Sequence, residues 1–545
     1  MRKKTINNTI ILVILFFGIE FLFFKKQILN GTLLEALYGD KGDARFCCLI
    51  LEHYFEFIKG NEKFADLKIF YPIVNTISYS DMLLGYTIPY CLFRILGINM
   101  YSSFNLSVLF YHMIGTISMI YLLKRKLRMS FVATAMGAFS FSCAASYTSI
   151  LGHVQFGFIG ILPVIMIFLL NFFENILTEK KEKRICNGYL AIVGMMLLLY
   201  SSFYLAYFFV FFLAIAAIVL LGIYKEKKKL MLQLKLYICN NKVEILSYIL
   251  IITLLSIPFF RIYLPTLEEM GGYSFEHVLN YTPHLYDVFS VSKSNLLMGD
   301  LMNEIGIFKE NGSELVYGFP IITIMLFLYG MVMLIADDRH HEYELFFKTI
   351  SISTIILYLL FIQISGHVIW KLFYSFLPGA SAIRAVGRIF FFMIFPVSLI
   401  VSYASEYLLK KKKYRKIWGS LFIFLIIISN YDKNGVSTHW STKESLDFEM
   451  GIKEPPSDCE AMFIIYEGDE TNPTNVQTLS WSIAEKFDLK CLNGYSGNFP
   501  PDWQGIYNVF DKDTYLNGIR DWILRYKIDN VYAYDLSENE WIRWN

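Results

Sequence analysis

Two aspartates three positions apart, with an arginine two further on, stand in the stretch Gly39-Asp40-Lys41-Gly42-Asp43-Ala44-Arg45. A carboxylate can take the proton from a hydroxyl, and a guanidinium can grip two phosphate oxygens at once. The same side-chain types recur in a few other short stretches. These are Glu52 and His53 in Leu-Glu-His, Asp81 in Tyr-Ser-Asp, His153 after Gly152, and Arg384 and Arg388, whose spacing of four predicts one face of one helix. Together they suit a sugar transfer in which a carboxylate deprotonates the acceptor hydroxyl while cations stabilise a departing phosphate. Asp40 and Asp43 are the candidate catalytic groups. Arg45, Glu52, His53, Asp81, His153, Arg384 and Arg388 are the candidate substrate-binding groups.

Each group also has a plainer reading. Gly-Asp-Lys-Gly-Asp is a common turn composition, because Gly and Asp tolerate unusual dihedrals. Ser80 and Asp81 can cap the helix that follows them. Glu52 and His53 can lie on the wet face of an interfacial helix, His153 can contact a headgroup or backbone, and the two arginines can anchor to lipid phosphate. Glu20, inside the first apolar run, is costly there unless paired or near the interface, and stands as an unassigned functional candidate.

What must position these groups is a membrane fold. Apolar residues make up 55% of the 545 positions and charged ones only 18%, where soluble chains carry about 25%. The mean hydropathy is +0.45, and the missing charge is missing in blocks, as in repeated bilayer spans. A net charge of +2 with no basic arm gives no sign of a nucleic-acid partner. None of the eight cysteines forms a Cys-x-x-Cys pair. Cys459 and Cys491 are the pair in a polar region, read as packed thiols with a disulfide as the alternative.

Apolar runs predict eleven spans, at 8–24, 101–123, 130–150, 155–173, 187–203, 204–224, 244–264, 316–336, 346–366, 389–409 and 417–430. The run 187–224 is too long for one helix and is divided near Tyr-Ser-Ser-Phe-Tyr. The first run has a basic start like a signal peptide but no small-x-small cleavage site, and is read as an uncleaved span. Basic clusters at 2–4, 124–128, 180–184, 225–229 and 410–416 then share one side, which the positive-inside rule makes cytoplasmic. Counting residues 82–98 as a further span would break that agreement, so they are expected to form a helix in or dipping into the interface. Residues 25–100 thus become one outer loop with amphipathic helices near 46–59 and 82–97. An odd number of spans puts the C-terminus outside. The chain divides into a transmembrane domain, 1–430, and an extracytoplasmic α/β domain, 431–545, with strands expected in Ala461–Glu467 and Asn530–Leu536 and helices in Asn475–Phe487 and Thr514–Tyr526.

The ordered stretches GDKGDARFCCLILEHYFEFIKG, FADLKIFYPIVNTISYSDMLLG and Gly-His before a Pro-containing span resemble bacterial multi-pass membrane proteins of the GT-C glycosyltransferase superfamily. LPGASAIRAVGRI and NGYSGNFPPDW resemble recurring stretches of an uncharacterised branch of that group, related to the YfhO-like proteins. The likeness covers most of the chain and is densest over 38–170 and 377–396. It implies a mainly α, polytopic membrane enzyme with a polyprenyl-phosphate-sugar donor in the bilayer and a glycan, lipid or protein acceptor outside. It also implies an essential aspartate after the first span, matching Asp40 or Asp43. Many related branches carry one acidic position or an Asp-Glu pair there. The Asp-x-x-Asp of this chain leaves open which aspartate is the base, and whether the two hold a divalent cation. The competing classes are a transporter or flippase of a lipid-linked or polysaccharide substrate and a non-catalytic scaffold. The first predicts polar residues within the spans and often a repeat; the second predicts that the Asp and Arg residues are dispensable.

Overall fold

The structure, a computed structural model, describes residues 2–34, 39–147, 152–178, 180–304, 315–336, 343–410, 415–433 and 441–545. Parts of the expected elements lie outside the described residues: 35–38 of the first loop, 148–150 at the end of the third span, 305–314 of a later loop and 411–414 of the last basic cluster.

Among the described residues, seven helices are long and apolar enough to cross a bilayer: Met100–Lys126, Val154–Ile176, Lys181–Ser201, Phe203–Ile223, Lys242–Met270, Glu344–Phe361 and Val386–Leu409. Four shorter apolar helices, Thr9–Phe23, Phe131–Tyr147, Ile321–Ala336 and Ile417–Asn430, fall on the other expected segments. The protein is therefore a mainly α, polytopic membrane protein. The break in Tyr-Ser-Ser-Phe-Tyr is local and visible: Ser202 takes an extended conformation (φ −155°, ψ 99°) between two helices. Side-chain caps begin others. Asn99 accepts from the Ser102 N–H at 2.9 Å ahead of Met100–Tyr121, as Asn472 does from Thr474 at 3.1 Å ahead of Pro473–Phe487.

The segment that argued for a further span is the helix Leu84–Ile95. Its 12 residues rise about 18 Å, well short of the ~30 Å hydrocarbon core. Tyr86 and Tyr90 bury one side of it, while Ile88, Leu92 and Ile95 are exposed on the other. That is the pattern of a helix lying against protein on one side and lipid on the other. The first loop helix departs from expectation. It starts at Asp43 and runs to Lys59, and Ala44 through Tyr54 are all buried, so it is a packed helix with no wet face over that stretch.

A short hairpin, β1 (Gln363–Ile364) and β2 (His367–Val368), precedes the C-terminal sheet. That sheet comprises β3 (Ala461–Ile465), β4 (Lys490–Cys491), β5 (Val531–Asp535) and β6 (Glu540–Arg543), in the order β4-β3-β5-β6. β3 runs parallel to β4 and β5, and β6 is antiparallel to β5. Helices Pro473–Phe487 and Lys512–Tyr526 provide the parallel connections. Cys459 and Cys491 are both free and buried.

The first loop is built into this sheet. Cys491 N–H donates to the Lys68 carbonyl at 2.9 Å, and Tyr71 N–H donates back to the Cys491 carbonyl at 3.0 Å. Phe70 N–H reaches the Asn493 carbonyl at 3.2 Å, and the Trp522 indole donates to the Tyr71 carbonyl at 2.8 Å. Beside this strip the Lys68 ammonium lies 3.2 Å from Glu62, 3.1 Å from Glu485 and 2.9 Å from Asp488. Lys68 is buried. Desolvation works against its charge, yet the surrounding carboxylates hold its pKa above the ordinary value.

Two expectations follow. After exposed Cys186 and Cys239 are changed to Ser, Asp469→Cys should label from outside the cell and Lys227→Cys only after permeabilisation; the reverse pattern would overturn the orientation. Lys68→Met leaves buried carboxylates without a counter-charge, a loss of about 3–5 kcal/mol. Its thermal midpoint in detergent should drop clearly, and Lys68→Met/Glu485→Met should recover part of the drop.

Candidate active site

Asp40 and Asp43 flank a tight turn. The Asp40 Oδ1 accepts the N–H groups of Gly42 at 3.0 Å and Ala44 at 3.4 Å, which leads the chain into the Asp43–Lys59 helix. Gly42 packs closely, and a Cβ there would sit 2.9 Å from the Thr474 methyl, so one of the two would have to shift. The Lys41 carbonyl accepts from the Thr478 hydroxyl at 2.8 Å, so the turn is seated on the Pro473–Phe487 helix.

Both carboxylates border the backbone at Gly152. A Cβ there would lie 3.4 Å from Asp40 Oδ2 and 3.9 Å from Asp43 Oδ2. The next residue, His153, places Nδ1 3.5 Å from Asp43 Oδ2 and Nε2 3.3 Å from a terminal guanidinium nitrogen of Arg388. Arg388 is buried between the rings of Phe156 and Tyr204, each 5.1 Å from its guanidinium carbon. Tyr495, from the loop after β4, donates its hydroxyl to Asp43 Oδ1 at 2.7 Å.

The surroundings set the charges. Burial, and next the charge of Asp43, raise the Asp40 carboxyl above its ordinary value, against the lowering effect of the turn N–H groups. Burial raises Asp81 to about 6, opposed by its hydrogen bond from Phe203 N–H and by Arg388. Burial pushes the Tyr495 phenol far up, and the neighbouring Asp43 adds to it. Cys47, one turn beyond Asp43, is likewise raised by burial and then by Asp43, Asp81 and Asp40, which places all three aspartates within electrostatic reach of that turn.

Asp40, Asp43, His153 and Arg388 are thus brought together, with Asp81 within electrostatic reach of Arg388. Asp81 does not cap the helix that follows it. Its Oδ1 accepts the N–H of Phe203 at 2.9 Å, at the start of a helix 122 residues away. Arg384 and Arg388 do not share a helix face, contrary to the spacing argument. Ala380–Ala382 and Val386–Arg388 are separate 3₁₀ turns with extended backbone between them, where the Tyr204 hydroxyl accepts the N–H groups of Arg384 and Ala385 at 2.9 and 3.2 Å. The Arg384 guanidinium lies over Tyr281 at 5.1 Å and Tyr273 at 6.0 Å.

The remaining candidates face elsewhere. Arg45 is buried, donates to the Asn475 carbonyl at 3.5 Å, and is lowered by desolvation against the opposing effects of Tyr101 and Glu449. Glu52, about 13 Å along the helix from Asp43, forms a two-pronged pair with Arg94 at 2.7 and 2.8 Å and accepts from Tyr90 at 2.5 Å. His53 is buried against the Phe64 carbonyl at 3.3 Å, with its pKa lowered by desolvation. Glu20 is paired within the bilayer: its Oε2 is 2.9 Å from His112, whose other nitrogen is 2.8 Å from the Ser142 carbonyl.

Tyr495, Tyr204 and Phe156 are site residues that no local pattern marked. Tyr495 lies in the NGYSGNFPPDW stretch, but its partner is 452 residues distant. No group of three or more His, Cys, Asp or Glu among the described residues is disposed to hold a metal ion.

No family model matches the chain, and no curated protein sequence is similar to it. Among solved structures it is similar to the apo oligosaccharyltransferase of Archaeoglobus fulgidus, at 11% identity and a TM-score of 0.50, over 96% of this chain and 69% of that one. ArnT from Cupriavidus metallidurans bound to undecaprenyl phosphate is also found, at 11% identity and a TM-score of 0.46, over 89% and 86%. The first likeness establishes the fold, a GT-C-like membrane architecture.

Asp81 generates a prediction of definite sign. Its folded pKa of about 6 exceeds the ordinary 3.8, so the folded state holds the extra proton between those values. The contribution of Asp81 to stability is full below about pH 4 and is lost as pH rises through 6. Asp81→Asn keeps an acceptor for Phe203 N–H without the charge. Its thermal midpoint relative to the parent should therefore rise between pH 4 and pH 7, by the equivalent of about 2–3 kcal/mol.

Proposed function

We propose that this protein is a membrane glycosyltransferase of the GT-C superfamily, in the branch related to the YfhO-like proteins. It transfers a sugar from a polyprenyl-phosphate donor to an extracytoplasmic glycan, lipid or protein acceptor. Residues 1–430 form the membrane domain, with the N-terminus cytoplasmic, and residues 431–545 the outer domain. The observation that carries this reading is the meeting of two carboxylates with a His–Arg pair at the ends of membrane helices, where a lipid phosphate can lie with its tail in the bilayer.

The roles divide by what each oxygen already does. Asp43 is occupied on both oxygens, by Tyr495 and His153. Asp40 uses Oδ1 for the turn and presents Oδ2 toward Gly152, with its basicity raised by burial. Asp40 is the base. It takes the acceptor hydroxyl proton as the acceptor oxygen bonds to the anomeric carbon, and the bond from that carbon to the phosphate oxygen breaks with its electron pair. A single displacement inverts the anomeric configuration. Arg388 offers planar, doubly donating recognition of the leaving phosphate, and Arg384 adds positive charge nearby.

The test is release of polyprenyl phosphate from polyprenyl-phosphate hexoses by the protein in nanodiscs. Asp40→Asn should cut the rate by about 10²–10⁴-fold, Arg388→Ala should impair donor use, and Arg388→Lys should restore it only in part. Full activity in Asp40→Asn, Asp43→Asn and the double variant would reduce the loop to a turn.

A further inference from the structure

We infer that Tyr495 is a positioning residue for the phosphate-binding arginine, acting through Asp43 and His153; this rests on the phosphate-transfer reading above. Four side chains from four distant segments form one chain of polar contacts. The Tyr495 hydroxyl donates to Asp43 Oδ1 at 2.7 Å, Asp43 Oδ2 lies 3.5 Å from His153 Nδ1, and His153 Nε2 lies 3.3 Å from the Arg388 guanidinium.

The donor and acceptor inventory sets the direction of this chain. Arginine only donates, so His153 Nε2 is the acceptor toward Arg388. A neutral imidazole then carries its proton on Nδ1, the nitrogen 3.5 Å from Asp43 Oδ2. That tautomer is selected only while the Asp43 carboxylate keeps Oδ2 turned toward the ring. Tyr495 supplies the constraint by holding the opposite oxygen.

Its own ring is well fixed. It meets Phe46 edge-on at 5.5 Å and stands 6.3 Å from Phe499. The rings of Phe156 and Tyr204 bracket the Arg388 guanidinium, and such ring contacts do not by themselves fix rotation of its planar fork. The contact from His153 restrains that rotation and so aims the fork. A hydroxyl from the segment after β4 thereby reaches the phosphate subsite through three contacts without touching the phosphate.

The probe is an undecaprenyl monophosphate presented in neutral phosphatidylcholine nanodiscs, with inorganic phosphate as competitor. Arg388→Ala should weaken binding at least about tenfold, and Tyr495→Phe about three- to tenfold, the weight of one ordinary hydrogen bond. The Tyr495→Phe/Arg388→Ala double variant should bind no worse than Arg388→Ala, because Tyr495 acts only through Arg388. Two controls separate positioning from docking of the C-terminal segment. Thr478→Val cuts the Lys41–Thr478 contact, which ties the same turn to the Pro473–Phe487 helix instead, and Tyr507→Phe alters a neighbouring phenol; both should bind like the parent. Additive losses in the double variant, an unchanged Tyr495→Phe, or an equal loss in Thr478→Val would each overturn the inference while leaving the phosphate site standing. Failure of the parent to bind the probe, or indifference to Arg388→Ala, would remove the transferase reading and the inference with it.

Discussion

The strip of backbone hydrogen bonds between residues 68–71 and β4 is the constraint on which the candidate site depends. It adds the first loop to the C-terminal sheet, so that the outer side of β4 pairs with a segment about 420 residues earlier in sequence. Once that edge is paired, the turn carrying Asp40 and Asp43 comes down on the Pro473–Phe487 helix, where Gly42 packs closely. The pairing also covers the backbone groups that β4 would otherwise offer to another chain.

Desolvation then sorts three aspartates that look alike in sequence. Asp43 has a partner on each oxygen, a phenol and an imidazole. Asp81 is held by one backbone N–H at the start of a membrane helix and is raised to about 6. Asp40 is raised by burial and by its neighbour, with an oxygen facing the Gly152 backbone. The same residue type is therefore an anchor, a buried strut and a carboxyl of raised pKa, according to which hydrogen bonds its surroundings supply.

The membrane part was legible in the sequence because hydropathy is a local property. Blocks of missing charge located the apolar helices, and Ser202 broke a run whose length already required a break. The parallel connections of the C-terminal sheet were legible for the same reason, from short apolar strands alternating with helical periodicity. Tertiary pairing was not local and so was not legible. Glu52 has the composition of a site residue, but Arg94 and Tyr90 claim it from 42 and 38 residues away. Spacing alone put Arg384 and Arg388 on one helix, whereas the Tyr204 hydroxyl stabilises extended backbone between them. Tyr495 carried no mark of its own, since its meaning lies in a partner at the other end of the chain.

Placing the two ends of the chain in one site has a consequence for how the chemistry is guarded. Asp40 and Asp43 lie between the first apolar helix and the next, and Tyr495 follows the last one. The carboxylate turn, the His–Arg pair and the phenol come from segments that each precede or follow a membrane helix, so none can take up its position until the helices between them have packed. A base exposed on a free loop would be fully hydrated and close to its ordinary basicity. Only the docked arrangement both desolvates Asp40 and aligns Arg388, so the raised basicity and the cationic subsite arise from the same packing event. Catalytic competence on this reading is a property of the completed fold, with the C-terminal sheet acting as the wall that closes the site.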